Sequence, residues 1–160
     1  MTSQKKGAAA ARRLVAFWLK LPRAVRLLAL LGWAGFLWYE SAQPPKPHTT
    51  FNLVRSWLHN AAHVPAFGLL GLLAGFVAPS RLRVAVGIAS AFVYGIVDEY
   101  HQSFTPGRTA SWTDVQTDTV AAALALACYL WITRGTRRAK LWSLALIPCG
   151  FLAPTIATFW

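Results

Sequence analysis

DEYHQSFTPGRTASWTDVQTD, residues 98–118, is the stretch that decides how this chain is read. It holds Asp98, Glu99, Asp114 and Asp118, four of only five acidic residues in a sequence of 160 that is 56% hydrophobic. Long apolar runs flank it on both sides. A polar island in such surroundings is explained either by what it holds together or by what it does.

Working outward, five apolar segments approach the ~20 residues that a bilayer crossing needs. They run roughly over 24–40, 57–79, 82–100, 114–133 and 141–159. The expected fold is all-α, a polytopic membrane helical bundle of about five transmembrane helices over 24–160, preceded by a basic tail over 1–23 with a short amphipathic patch from Leu14 to Leu21. Trp38 and Tyr39 close the first span as an interfacial belt. The loop SAQPPKPHTT (41–50) carries three prolines and is not expected to be helical. Gly71-x-x-x-Gly75 and Ala121-x-x-x-Ala125 are spacings that let helices approach closely. Cys128 and Cys149 each sit inside an apolar run and are expected to be small buried packing residues, not a disulfide or a metal pair.

The net charge of +11 would point to nucleic acid in a soluble protein. Mean hydropathy of +0.42 and eight tryptophans point instead to a membrane. The basic residues also lie at the ends of the apolar runs, where they set topology, so no nucleic-acid partner is expected. Thirteen fall on one side: Lys5, Lys6, Arg12, Arg13, Lys20, Arg23 and Arg26, then Arg81 and Arg83, then Arg134, Arg137, Arg138 and Lys140. Only Lys46, Arg55 and Arg108 fall on the other. By the positive-inside rule the amino terminus is cytoplasmic and the carboxyl terminus faces out. The acids and histidines then lie at the outer ends of spans.

Helix rise places three of them by depth. Glu99 is sixteen residues beyond Arg83, Asp118 sixteen before Arg134 and His63 eighteen before Arg81. These correspond to about 24, 24 and 27 Å of helix, against about 30 Å of hydrocarbon. Three polar residues from three spans therefore share a level just beneath the outer boundary, where they should face inward and find partners. Asp98 and Gln102 share a helix face, as do Asp114 and Asp118. Thr105-Pro106-Gly107-Arg108 has turn chemistry that folds Arg108 back toward the carboxylates. Ser111-x-x-Asp114 reads as a capping box, the alternative to a site role for Asp114. Likewise, Asp98 or Glu99 could serve only to pair with Arg108. His48, His59 and His101 are expected to be interfacial.

The order D-E-x-x-Q (98–102), F-x-P-G-R (104–108), Ser111 and Asp114, after a span opening with His63, resembles the VanZ-like family of small bacterial membrane proteins over roughly 40–133. The chain departs from that family's pattern at His59 and Asn60 and at Asp118 and Ala121. The resemblance implies a multi-pass protein of the bacterial inner membrane and a connection with low-level resistance to the glycopeptide antibiotic teicoplanin. On this basis His63 and Glu99 are candidate catalytic acid/base groups. Asp98, Gln102, Arg108 and Ser111 are candidate substrate-binding groups, and Glu99, Asp114 and Asp118 are candidate ligands of a divalent cation. The expected partners are membrane lipids and a lipid-linked cell-wall precursor with an anionic headgroup. Three functions fit such a site: an enzyme acting on the headgroup, a non-enzymatic binder that shields the antibiotic's target lipid, or a proton-coupled transporter. The transporter would want its ionisable residues at mid-membrane depth.

Overall fold

The computed structural model describes residues 3–44 and 53–159. Its described elements are six α-helices: α1 (Ser3–Lys20), α2 (Arg23–Ser41), α3 (Leu53–Val77), α4 (Arg83–Gln102), α5 (Trp112–Arg134) and α6 (Arg137–Phe159). The all-helical architecture follows from the solvent, because an apolar span in lipid has only its own backbone to hydrogen-bond. Three helices contain stretches long and apolar enough to cross a membrane, Asn60–Val77, Trp112–Arg134 and Arg137–Ile156. The basic tail is itself helical as α1, and it touches α5 through Arg12, whose Nε donates to Ile132 O at 2.6 Å. Residues 45–50 of the proline-rich loop, with Lys46 and His48, lie outside the described residues, as do the side chains of Arg55 and His59.

Helix α3 is the hub, packed against α2, α4, α5 and α6. Small residues make this possible. A methyl group added at Gly71 would lie 2.6 Å from Ala122 Cβ and 3.3 Å from Gly87 O. One at Gly75 would lie 2.8 Å from Arg83 O, and one at Gly68 would touch Ala125 and Ala121. The two small-residue spacings thus belong to one crossing of α3 with α5. Gly87, Ala91 and Gly95 add a third such row, buried along α4. Phe67, Leu70, Ala91, Ala121 and Ala122 form the centre of the core, with Leu37 reaching in from α2.

The other surface of the bundle is apolar. Leu28 and Leu31 on α2, Val93 and Val97 on α4 and Phe151 and Leu152 on α6 are exposed. Cys149 is exposed on α6, and Cys128 is half-buried. The expectation of two buried cysteines is therefore corrected for Cys149, because α6 packs through its other face and turns this one outward.

Basic residues cap the ends of α3 and α5, whose last carbonyls have no helical partner. Arg26 donates to Phe76 O, and Arg83 Nε donates to Gly75 O at 3.3 Å. The Arg83 guanidinium also lies over the rings of Phe76 and Tyr129. A cation at these C-terminal ends also complements the helix dipole. Gly135, at φ 63°, ends α5 in the left-handed conformation that glycine accepts most readily.

Candidate functional site

At the opposite end, the 98–118 stretch joins α4 to α5 and meets the first part of α3. Helix α4 does extend to Gln102, so the i, i+4 pair forms: Gln102 Nε2 donates to Asp98 Oδ2 at 2.8 Å, and both side chains are buried. The following turn closes with Arg108 N–H donating to Thr105 O at 3.1 Å. Gly107 sits at φ 82°, the positive value that the third position of a type II turn requires.

The turn aims Arg108 back over the end of α4. Its Nη1 donates to Gln102 Oε1 at 3.4 Å, while Nε and Nη2 both donate to Gln43 O at 3.2 Å. Gln102 is thus a relay, accepting from Arg108 with its oxygen and donating to Asp98 with its nitrogen. Gln43 lies just past the end of α2, so this guanidinium also ties the loop to that helix. His101 makes a second tie, with Nδ1 3.0 Å from Ser41 Oγ and its ring stacked on Trp38 at 3.8 Å.

His63 and Asp118 meet. His63 Nδ1 lies 2.9 Å from Asp118 Oδ1, linking α3 to α5, and Asp118 is completely buried. The His63 ring stacks on Phe67, one turn further along α3. The depth reckoning from helix rise therefore brought two of its three residues into direct contact. Glu99, the third, belongs to the same electrostatic neighbourhood: it feels the charges of Asp114, Asp98 and His63.

Glu99 does something local sequence rules do not anticipate. Its Oε2 accepts from the Ser111 backbone N–H at 2.6 Å. Ser111 is the N-cap residue of α5, in extended conformation, but its hydroxyl pairs with Thr113 Oγ1 at 2.6 Å and makes no capping bond. The capping box read from Ser111 and Asp114 is therefore corrected. The N-cap N–H that the box would have paired with Asp114 is taken by Glu99 from the preceding helix. Asp114 instead lies in the field of His63, Arg108 and Asp98.

A pattern emerges from the three most buried carboxylates. Asp98, Glu99 and Asp118 each give one oxygen to a protein donor, respectively Gln102, Ser111 and His63. Each leaves its second oxygen, Asp98 Oδ1, Glu99 Oε1 and Asp118 Oδ2, buried with no hydrogen-bond partner among the described residues. An unsatisfied buried acceptor costs about 1–3 kcal/mol, more when charged. Three such oxygens lie in one region of the bundle.

Among the described residues no group of three or more His, Cys, Asp and Glu side chains is placed to hold a metal ion, so Glu99, Asp114 and Asp118 do not form a ready-made cation cage. Gly95 is a site residue that the sequence reading passed over. A methyl group there would lie 3.1 Å from Asp118 Oδ2 and 3.6 Å from Val115 Cα, so the glycine lets α4 pack closely against α5 beside that oxygen. Its place in the row Gly87, Ala91, Gly95 was the signal for this close packing.

Compared with known protein families, residues 26–133 match the family model described as VanZ/LLP1. The match begins earlier than the 40–133 expected from the motif alone and takes in α2 through α5. No curated protein and no solved structure matches the chain.

Proposed function

The chain belongs to the VanZ/LLP1 family, and on that premise we propose that it is a multi-pass protein of the bacterial inner membrane whose outward-facing polar site, between α3, α4 and α5, binds an anionic lipid-linked or cell-wall headgroup. In this reading α2 and α4 cross the bilayer beside the three more apolar stretches, giving five spans with the amino terminus inside. Their 19 and 20 residues support it, at about 28–30 Å of helix. So do the exposed leucines, valines and phenylalanines on their outer faces. Aromatic residues at the site end, Tyr39, Tyr100, Phe104 and Trp112, are all exposed, as side chains at a membrane–water boundary would be. The arginines at the other end of α3 and α5 agree with a cytoplasmic face there.

The observation that carries the headgroup reading is that Arg108, from the loop, and His63, from α3, act on the same carboxylate, Asp114, so two groups able to carry positive charge stand close together at this end of the bundle. Arg108, at the rim, offers a guanidinium to a phosphate. Bound to a cell-wall precursor lipid, the protein would alter access to it, which is the route by which a glycopeptide such as teicoplanin would lose its target.

Native mass spectrometry of the purified protein tests this. A co-purifying polyprenyl phosphate lipid is expected on the wild type and much reduced on Arg108→Ala. An empty wild-type protein that also fails to take up added polyprenyl phosphate would refute the reading.

A further inference from the structure

We propose that α1 is an in-plane membrane anchor whose ligand is the anionic phospholipid of the leaflet beside it, at the end of the bundle remote from the polar site. Nothing in this depends on the headgroup reading, because a different surface carries it.

Helix α1 has three faces. Ala8, Ala11, Val15, Trp18 and Leu19 are half-buried and recur at the three- and four-residue spacing of a single helix face. That face is turned to the bundle, where α1 meets α5. Leu14 and Phe17 are 70% and 64% exposed. A turn of about 100° per residue sets them together along one flank of the packed face. Arg12, Arg13, Ala16 and Lys20, all exposed, fill the arc that remains. An apolar strip beside a basic arc is the pattern of a helix lying in a membrane interface. The adjacent charges of Arg12 and Arg13 at its centre are too costly for a span.

The position of α1 suits that role. Arg12 Nε donates to Ile132 O at 2.6 Å, in the last turn of α5, where carbonyls have no helical partner. Helix α5 is long and apolar enough to cross a membrane, so the bond seats α1 at the level where that crossing ends. Only Leu21 and Pro22 separate α1 from α2, yet α1 does not fold back along it. Helix α2 then opens with exposed apolar residues of its own, Val25, Leu27 and Leu28, so a short link joins the strip on α1 to a lipid-facing surface.

The charge of this region has one sign. The first acidic residue in the chain is Glu40, and seven Lys and Arg precede it. Arg12 is engaged with Ile132, which leaves Arg13 and Lys20 exposed on α1. Anionic headgroups supply the countercharge, and each basic residue near such a surface strengthens binding, whereas a zwitterionic surface offers no net charge. A nucleic acid would meet the basic arc and leave Leu14 and Phe17 in water; a bilayer meets both.

The test uses the full-length protein with Cys128 and Cys149 replaced by serine and a nitroxide at Leu14→Cys or Ala16→Cys. These positions lie on nearly opposite sides of α1, about 160° apart. The labelled protein is placed in nanodiscs of phosphatidylcholine, alone or mixed with phosphatidylglycerol. Each label's collisions with oxygen, which concentrates in lipid, are compared with its collisions with a water-soluble nickel chelate. In the mixed discs the Leu14 label is expected in lipid and the Ala16 label in water. Omitting phosphatidylglycerol, or introducing Arg13→Gln with Lys20→Gln, is expected to lower the ratio of seated to released helix, by about thirtyfold for the two charges. A Leu14 label in water in the mixed discs overturns the inference. So does a Leu14 label whose depth either change leaves as it was, since apolar contact alone would then hold the helix. If the charge variant does not fold, the comparison of the two lipids decides alone. Both faces of a nanodisc are open, so the outcome is independent of which way the protein crosses, and retention of polyprenyl phosphate is a separate measurement.

Discussion

Glu99 Oε2 accepts the Ser111 backbone N–H at 2.6 Å, so α5 is capped by the helix that precedes it in the chain. The bond spans twelve residues and closes the polar loop on itself. One carboxylate of α4 thus holds the start of α5 through Oε2, while its Oε1 is buried with no partner among the described residues.

That division predicts a difference between two substitutions. Glu99→Ala leaves a buried N–H at the start of α5 without its acceptor and should destabilise the protein by about 1–3 kcal/mol. Glu99→Gln keeps an acceptor oxygen for Ser111 and should cost less than about half of that. Thermal unfolding of the two variants in one detergent, read by circular dichroism, measures the gap; equal losses would show that the bond to Ser111 contributes nothing.

His63 and Asp118 are expected to be energetically coupled. A double-mutant cycle with His63→Ala and Asp118→Ala should give a coupling of about 0.5–3 kcal/mol, because the 2.9 Å contact is between a histidine and a fully buried acid. Additive losses would mean that the two residues contribute independently.

Glycines on the inner and outer faces should respond in opposite ways. Gly71→Ala drives a methyl group to 2.6 Å from Ala122 Cβ and should cost about 1–3 kcal/mol by overpacking. Gly32 has nothing within 4 Å, so Gly32→Ala should be neutral or stabilising by up to about 1 kcal/mol through helix propensity. Unfolding midpoints of both variants under identical conditions check the contrast.

The proposed orientation has its own check. In a background with Cys128 and Cys149 replaced by serine, Ser103→Cys should react with a membrane-impermeant maleimide added to whole spheroplasts. Ser80→Cys should react only after the membrane is opened. The reverse pattern would invert the topology and place the site on the cytoplasmic side. Both positions are exposed, so reactivity reports sidedness.

The helices were legible in the sequence because each apolar run ends where charge or turn chemistry begins. The segment expected over 82–100 is the helix Arg83–Gln102, and that expected over 114–133 is Trp112–Arg134. The contact of His63 with Asp118 was also within reach, since helix rise is constant and the arginines mark a common baseline. Glu99 as a cap was out of reach. Spacing rules describe one helix at a time, and Ser111 with Asp114 satisfied them locally while the bond that formed came from another helix. The Arg108 acceptor at Gln43 O was hidden for a related reason: a main-chain carbonyl carries no residue signature. Asp98 and Glu99 were expected to be alternatives as partners of Arg108, yet Asp98 is reached through Gln102 and Glu99 is turned toward Ser111.

The near-contact of Gly71 with Gly87 and Ala122 has a mechanical side. Three backbones meet there, with the Leu126 side chain against Gly87. His63 sits eight residues along α3 from Gly71, a lever arm of about 12 Å. A tilt of about 5° at that crossing would swing the histidine by about 1 Å, enough to make or break its bond to Asp118. The bond between His63 and Asp118 is thereby sensitive to small changes in how α3 crosses its neighbours.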